Sequence, residues 1–448
     1  MKCLKISAKK ARLLKTINDN FMFFQAGDSL IIQNRTRSKE PVIWLKLYKI
    51  KFDLFLSNFY SLTFISAYKI ANGEFFIGTV IDGIESLRFL EINNLKIENS
   101  LLWQQVSLKD EIVIFNEKYP ELSGYAFSVW DNSIDSLKKR AIFEYYERIS
   151  STNVDHIESV RNVPLHSKAI DYKQLGILWG TKSIPKVSKW VEAFSERDQN
   201  PVYIPFNFVF YGNPDKGEDT YLGSSNGTAI GSSYQDSVQR ALNEFIERDV
   251  LIESWLGRGA NLIRLTSISQ ILGESFKQLC SLMNIKTDFF LYKNLIDNKF
   301  IVWCLVKTRK KDIFSSSGFA SSENIQKCLK HSFDEAMGAI VKKEKNTKKN
   351  GDSTLDKIQN YYFDANNKQI IANLYKFKRD LSLEDFYKQC KNISLTKRYR
   401  DIVVIDITPT AIAELGLSCV KVVALGGNSM IFNYKLEKLN FPKFLPIA

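Results

Sequence analysis

The chain has 448 residues, room for about three domains of roughly 150 residues each; it is 45% apolar, 13% aromatic and 25% charged. Those proportions describe a globular protein with a sizeable core and exclude a disordered, collagenous or coiled-coil chain. With 62 Lys and Arg against 49 Asp and Glu, the formal charge of +13 suits a polyanionic partner (nucleotide, nucleic acid, acidic peptide or anionic membrane surface) without choosing among them.

In chain order, the first fifteen residues carry five lysines and one arginine, compatible with a solvated amphipathic helix. Residues 1–120 otherwise read as short apolar runs, at 61–68, 75–80 and 111–115, between polar turns, with no catalytic motif. This region is expected to be a smaller N-terminal α/β domain that contacts a partner or a leader peptide. The most apolar stretch, 54–84, is interrupted by Lys69 and Glu74 and is no membrane-spanning run. A helix is predicted over 133–151, followed by a polar connection through Pro164 and Pro185. Beyond Pro201, β-branched and aromatic runs at 202–211, 286–292, 300–306, 402–407 and 419–425 alternate with helices over 233–256, 268–284 and 322–341. The basic stretch from Lys342 to Gly351 is expected to be an exposed loop. The fold class is therefore α/β, with mixed sheets and packed helices over 121–448. Cys3, Cys280, Cys304, Cys328, Cys390 and Cys419 form no C-x-x-C and do not cluster with His156, His166 or His331. Neither a disulfide framework nor a zinc site is expected, and a reducing, cytoplasmic location is.

A repeat spaced by 100 residues is the most informative feature. Arg140-Ala-Ile-Phe-Glu144-Tyr-Tyr-Glu147-Arg148 and Arg240-Ala-Leu-Asn-Glu244-Phe-Ile-Glu247-Arg248 share Arg, Ala, Glu, Glu and Arg at the same offsets. At 3.6 residues per turn, Arg140, Glu144 and Glu147 form one stripe and Arg240, Glu244 and Glu247 another, extended by Asp236. One such helix alone is an ordinary solvated face, its ion pairs worth a few tenths of a kcal/mol. Solvated faces do not need matching sequences, however. If the helices face one another, four carboxylates converge and require divalent cations. Hard oxygen ligands favour Mg2+ bridged to phosphates, and nearby arginines hold phosphate oxygens. Such a nucleotide site has no Walker loop, and no G-x-x-x-x-G-K-[ST] occurs. Before the second helix, Ser224-Ser225-Asn226-Gly227-Thr228-Ala229-Ile230-Gly231-Ser232-Ser233 feeds a helix N-terminus whose N–H groups suit an anion.

Residues 225–231, with Ala241-Leu-Asn-Glu244-Phe-Ile-Glu247-Arg248-Asp249, resemble the signature of YcaO-domain proteins. Glu144-Tyr-Tyr-Glu147-Arg148 resembles the family's first E-x-x-E-R helix, and residues 402–408 and 415–426 its closing strands. Ser317-Gly318 followed by Asp334-Glu335-Ala336 is a further match, so the resemblance covers about 121–448. It implies binding of ATP and Mg2+, with Glu144, Glu147, Glu244 and Glu247 as metal ligands. Arg148 and Arg248 would support the nucleotide, with Arg140, Ser225, Ser232, Asp236 and Arg240 also placed in its site. The family pattern has Ser at Arg140, Asn at Ser232, Glu at Asp236 and Gln at Arg240.

The implied activity is ATP-dependent activation of a peptide backbone amide, as in azole-forming cyclodehydratase subunits of microcin-type synthetases. A Cys, Ser or Thr side chain of a ribosomal precursor peptide adds to the preceding carbonyl. Phosphorylation of the resulting oxygen lets it depart, leaving thiazoline or oxazoline. Catalysis is then positioning and charge neutralisation, with no enzyme nucleophile. Thioamide- or amidine-forming members, and a scaffold that no longer turns over ATP, are the alternatives. The implied partners are the precursor peptide, a leader-binding ubiquitin-activating-like protein and a flavin-dependent dehydrogenase. No nucleic-acid reader motif appears. Azole-forming members often end in a proline-rich tail whose terminal carboxylate sits near the reacting amide. Here Pro442 and Pro446 precede Ala448, the catalytic carboxylate that the resemblance implies.

Overall fold

The computed structural model describes, side chains included, residues 136–152, 157–175, 187–210, 223–257, 260–273, 285–307, 316–338 and 379–430, with a few neighbours. It also describes the backbone of the strands within the first 127 residues. The chain divides into two compact units, 1–142 and 143–448.

The strands of the first unit form two antiparallel sheets. One is β1 (Arg12–Ile17), β2 (Phe21–Ala26), β3 (Ser29–Asn34) and β4 (Pro41–Lys46), in sequence order. The other is β5 (Phe64–Lys69), β6 (Phe75–Ile81), β7 (Ile84–Ile97), β8 (Ser100–Asn116) and β9 (Tyr119–Phe127), again a meander. The amphipathic helix expected over the first fifteen residues gives way to strand from Arg12; residues 1–11 lie outside the described residues.

Helix α1 (Ile134–Thr152) carries the first repeat and runs from the first unit into the second. The second unit continues with β10 (Ser159–Val160), β11 (Lys168–Ala169), β12 (Trp190–Ser195), β13 (Asn200–Pro205), the single turn α2 (Phe206–Val209) and β14 (Thr228–Gly231). Helix α3 (Tyr234–Leu256) carries the second repeat. It is followed by β15 (Leu262–Leu265), α4 (Ile268–Leu272), β16 (Ile285–Tyr292), β17 (Leu295–Ile296), β18 (Phe300–Thr308), β19 (Ile313–Ser322) and α5 (Ile325–Asn346). The last elements are β20 (Arg379–Leu381), α6 (Leu383–Gln389), β21 (Asn392–Ile393), α7 (Leu395–Arg398), β22 (Asp401–Asp406), α8 (Thr410–Ala413) and β23 (Ser418–Leu425).

Two mixed sheets organise this unit. The first runs β11-β13-β12-β22-β23-β14, with β10 beside β12; its β11–β13 pair is parallel and its other pairs antiparallel. The second runs β19-β18-β16-β15-β20, parallel only at β15–β20. Helix α3 packs on β23 and β14 of the first sheet and on β19 and β18 of the second. That position explains its burial: one apolar face early (Ala241, Leu242, Phe245, Ile246), then nearly every side from Asp249 to Trp255. Helix α5 covers β19 and β18. Strands β22 and β23 are buried along most of their length, hence their continuous Val, Ile and Cys runs.

Several boundaries differ from the sequence expectation. The strand expected over 202–211 ends at Pro205, which initiates α2; proline donates no ladder hydrogen bond but is tolerated at a helix start. The helix expected over 268–284 is interrupted at Gly273, whose φ of +87° ends α4; Phe276, Lys277 and Cys280 beyond it are again helical, and the rest of 274–284 lies outside the described residues. The loop expected from Lys342 is helical through Asn346, because Lys and Glu extend a helix until a breaker intervenes. Among the described residues no helix is long and apolar enough to cross a membrane.

Candidate functional site

Packing turns the two repeated helices toward common ground. On α1, Phe143 and Tyr146 pack against the core of the first sheet, and Tyr145 and Ile149 are buried. On α3, Ala241, Leu242, Phe245 and Ile246 enter that same core. Glu147 of α1 and Glu244 of α3 are half-buried and near enough for their charges to interact. Burial, then repulsion by Glu244 and Glu144, pushes the Glu147 carboxyl well above the usual carboxylate range. Burial raises Glu244 to about 7, with Glu247 and Glu335 adding to the rise and Arg248 and Lys421 opposing it. Glu247 is likewise raised to about 7, by burial and by Glu335, against Arg248 and a hydrogen bond from Ser321. The shared cause is desolvation of like charges held together.

Partners fix the rim. Arg148 holds Glu144 one turn away at 2.6 Å. Arg248 reaches across to Glu335 of α5 at 3.1 Å and lies 5.5 Å over the Phe319 ring. The other Glu335 oxygen accepts from the Phe319 backbone N–H, and Ser321 Oγ donates to Glu247 at 2.8 Å. Strand β19 can bring these groups under α5 because Gly318 lies against the backbone of Ser332 and Ala336, where any Cβ would clash.

The small-residue loop lies beside this cluster. The Thr228 N–H donates to the Ser225 carbonyl, and Gly227 turns the chain at φ +72° with Val422 O only 2.5 Å from where a Cβ would stand. Lys421 of β23, opposite Thr228 in register, donates to the Ser224 and Asn226 carbonyls at 2.5 and 3.1 Å. Ser232, Asp236 and Arg240 close on themselves at the start of α3. Asp236 accepts from the Ser232 N–H at 3.2 Å and from Arg240 at 2.8 Å, while its own N–H donates to Ser233, the N-cap. Those bonds hold Asp236 below its usual pKa despite some burial. Arg140 is exposed, and its guanidinium donates to the Phe127 carbonyl at 3.4 Å. Ala448 lies outside the described residues.

The structure thus brings together Glu144, Glu147, Arg148, Glu244, Glu247 and Arg248, with Ser225 in the adjoining loop. It occupies Ser232, Asp236 and Arg240 with one another. Sequence reasoning missed Lys421 and Ser321. A lysine inside the run Val420-Lys421-Val422-Val423 was a usable signal, since such a strand buries both faces; Ser321 carried none. Glu335 was visible only within Asp334-Glu335-Ala336.

The donor set suits a hard divalent cation and a polyphosphate. It consists of carboxylate oxygens with arginines at the rim, and one of them, Arg248, keeps a buried Nη1 without a hydrogen-bond partner. Asn226 Oδ1 and Thr228 Oγ1 in the loop are also buried without partners. Among the described residues no three His, Cys, Asp or Glu donors are gathered tightly enough to coordinate one ion as they stand. Mg2+ usually keeps several waters and takes one or two protein carboxylates plus phosphate oxygens, so carboxylates spread around a centre remain compatible with it. When bound, Mg2+–ATP supplies a transferable phosphoryl group; the chain supplies its ligands and counter-charges.

Comparison with known proteins identifies the fold and the family. No curated protein matches the chain. The fold is similar to that of YcaO from Methanopyrus kandleri bound with AMPPCP and Mg2+: 12% identity, 89% of this chain and 94% of that one covered, TM-score 0.52. It is similar also to a heterocyclase in complex with substrate and cofactor, at 14% identity and TM-score 0.51, covering 75% of this chain but 49% of that one. A chain of the E. coli microcin synthetase McbBCD complex aligns at 15% identity, 75% and 87% coverage, and TM-score 0.50. The family model of YcaO cyclodehydratases, ATP- and Mg2+-binding, matches residues 138–426, which include both glutamate helices, the loop and the closing strands. The chain therefore belongs to the YcaO family of ATP- and Mg2+-binding cyclodehydratases.

Proposed function

We propose that this chain activates backbone amides of a ribosomal precursor peptide, cyclodehydrating Cys, Ser or Thr residues to thiazoline or oxazoline. The observation that carries the reading is the set of carboxylates Glu147, Glu244 and Glu247, raised first by burial and then by neighbouring carboxylates, a cost that a divalent cation would offset. Glu144, Glu147, Glu244 and Glu247 are assigned as Mg2+ ligands, and Arg148 and Arg248 as groups steadying phosphate oxygens. Arg248 is the better placed of the two, since Glu335 and the Phe319 ring fix its plane while Nη1 keeps an unused donor. These residues position and neutralise, and the nucleophile belongs to the substrate. Microcin synthetase McbBCD is a complex and a similar heterocyclase is seen with its substrate. By that analogy we assign this chain a precursor peptide and a partner protein; that the partner binds the leader, and that a flavin-dependent dehydrogenase acts afterwards, follows from the resemblance of the sequence motifs.

The self-contained bonding of Ser232, Asp236 and Arg240 favours a second reading, a YcaO scaffold without ATP turnover. One assay decides. The protein is incubated with Mg2+, ATP, its partner protein and a Cys/Ser-containing precursor, and peptide mass and phosphate release are followed. Loss of one water per modified residue, with matched phosphate release, is expected. Phosphate release with exchange of oxygen for sulfur would point to thioamide chemistry, water loss that joins an amine rather than a Cys, Ser or Thr side chain to the carbonyl carbon would point to an amidine, and neither change would leave the scaffold.

A further inference from the structure

Both repeats close on E-x-x-E-R, yet their last arginines go different ways. On α1, Arg148 turns back to Glu144 at 2.6 Å, the neighbour that an i, i+4 spacing offers. On α3 the matching neighbour is Glu244, and Arg248 leaves it: its Nη2 donates at 3.1 Å to Glu335 of α5. Strand β19 holds it there. The guanidinium lies 5.5 Å over the Phe319 ring, which is itself stacked on the buried Trp303 with 5.1 Å between ring centres. The Phe319 N–H donates to the second Glu335 oxygen, and Gly318 lets α5 come this close. Two residues along, on the same face of the strand, Ser321 donates to Glu247, the residue before Arg248. Nη1 of Arg248 stays buried and unspent.

We infer that Glu335 is a positioning residue for nucleotide binding: it draws Arg248 off its own helix and onto the Phe319 ring, and so keeps Nη1 available to a phosphate oxygen. A carboxylate is needed for this, and an amide of the same shape does not suffice. The two Glu335 oxygens accept from different donors, Arg248 Nη2 and the Phe319 N–H. Glutamine offers one acceptor oxygen and an NH2 group, so whichever way it turns, one donor faces another. An arginine released in this way has the alternative that α1 displays, the carboxylate one turn back on its own helix. Glu335 then acts on the ligand only through Arg248. The inference rests on Arg248 meeting phosphate oxygens, and the experiment separates the two ideas.

The affinity of the full-length protein for a non-hydrolysable ATP analogue is measured by calorimetry at saturating Mg2+, beside the Tm of the ligand-free protein. Glu335→Gln should raise the dissociation constant roughly ten-fold, as for the loss of one charge-assisted hydrogen bond. Arg248→Met should raise it at least as much. The double variant should bind no more weakly than Arg248→Met, because a residue that acts through another has nothing left to lose once the other is gone. A Glu335→Gln variant with lowered Tm and unchanged affinity has lost packing only, and overturns the inference; so does a double variant in which the two losses multiply. The Glu335 side chain is 32% exposed, which favours folding of the variant. Should it not fold, Glu335→Ala, which admits water to both donors, should weaken binding likewise and decides through the same cycle; failure of both to fold with Mg2+ and nucleotide present also overturns the inference. Wild-type affinity in Arg248→Met would remove Arg248 from the nucleotide site, and the inference with it. A weakened Arg248→Met beside an unchanged Glu335→Gln would remove Glu335 alone.

Discussion

Glu244 and Glu247 hold their protons up to about pH 7, against 4.5 for an ordinary glutamate. Between those values the folded chain without metal binds more protons than the unfolded chain, so its stability falls as pH rises through that window and then levels off. We expect Tm of the metal-free protein to drop between pH 5.5 and pH 8, with Mg2+–nucleotide giving back more at the higher pH because the ion takes up the exposed charge. A metal-free Tm that rises over that interval would show that these carboxylates are not held above the ordinary range. Glu247→Gln keeps side-chain volume and leaves the Ser321 hydroxyl an acceptor, while removing one charge facing Glu335. Peptide-dependent ATP hydrolysis should fall by about a hundred-fold, at the upper end of what altered metal-site groups cost. The metal-free variant should melt no lower than wild type at pH 8. Unchanged turnover in the presence of partner and peptide would take Glu247 out of the site.

At the scale of elements, α3 is anchored at both ends by different physics. Its start depends on Ser233, whose hydroxyl accepts from the Asp236 N–H at 3.2 Å; Ser233→Ala should cost about 1 kcal/mol. Its second half depends on a buried ion network. Arg398 of α7 donates to Asp249 at 2.5 and 2.9 Å and to Glu253 at 2.8 Å. Tyr399 Oη donates to Asp249 at 2.9 Å, and Asn428 gives the other Asp249 oxygen two donors at 2.7 Å. This network ties α3 to the segments flanking β22 and β23, and through Tyr292 to β16. Arg398→Met leaves a carboxylate that is 1% exposed without its cation, and should cost about 3 kcal/mol or more, seen as a lowered urea midpoint. Adding Asp249→Asn should recover part of that loss. If the double variant is as unstable as the single one, the cost is lost packing rather than an unpaired charge.

For the whole molecule, ligand linkage is the accessible readout. A ligand that binds only the folded state raises stability with the logarithm of its concentration over its dissociation constant. Because protein carboxylates and nucleotide phosphates would hold Mg2+ jointly, Mg2+ and a non-hydrolysable ATP analogue together should raise Tm by more than the sum of their separate effects. Simple additivity, checked by thermal shift with each alone and both combined, would mean that the two do not share a site. The charge of +13 belongs to this scale too, as a field favouring a polyanionic partner rather than as any one contact.

The amphipathic repeat, the small-residue loop and the β-branched closing runs were legible without coordinates because each is a local pattern. Arg140 to Arg148 and Arg240 to Arg248 display their stripes through helical periodicity alone, and Val422, Val423, Ala424 and Leu425 announce a doubly buried strand. The convergence of Glu147 with Glu244 was only a conditional inference, since nothing local says that two helices 100 residues apart share one core. Tertiary structure decided that, by giving Phe143 and Tyr146 the same apolar surface as Leu242 and Phe245. It also decided which charges are paired. Asp236 and Arg240, which looked like extensions of the carboxylate stripe, satisfy each other and Ser232, whereas Arg248 leaves its own helix for Glu335, 87 residues on. Lys421 shows the limit most clearly. Its sequence is that of a lysine in an apolar strand, and its partners come from a loop nearly two hundred residues earlier. Periodicity reports which face of an element a residue occupies; only the packed chain sets what stands opposite, and in a buried site what stands opposite determines the charge.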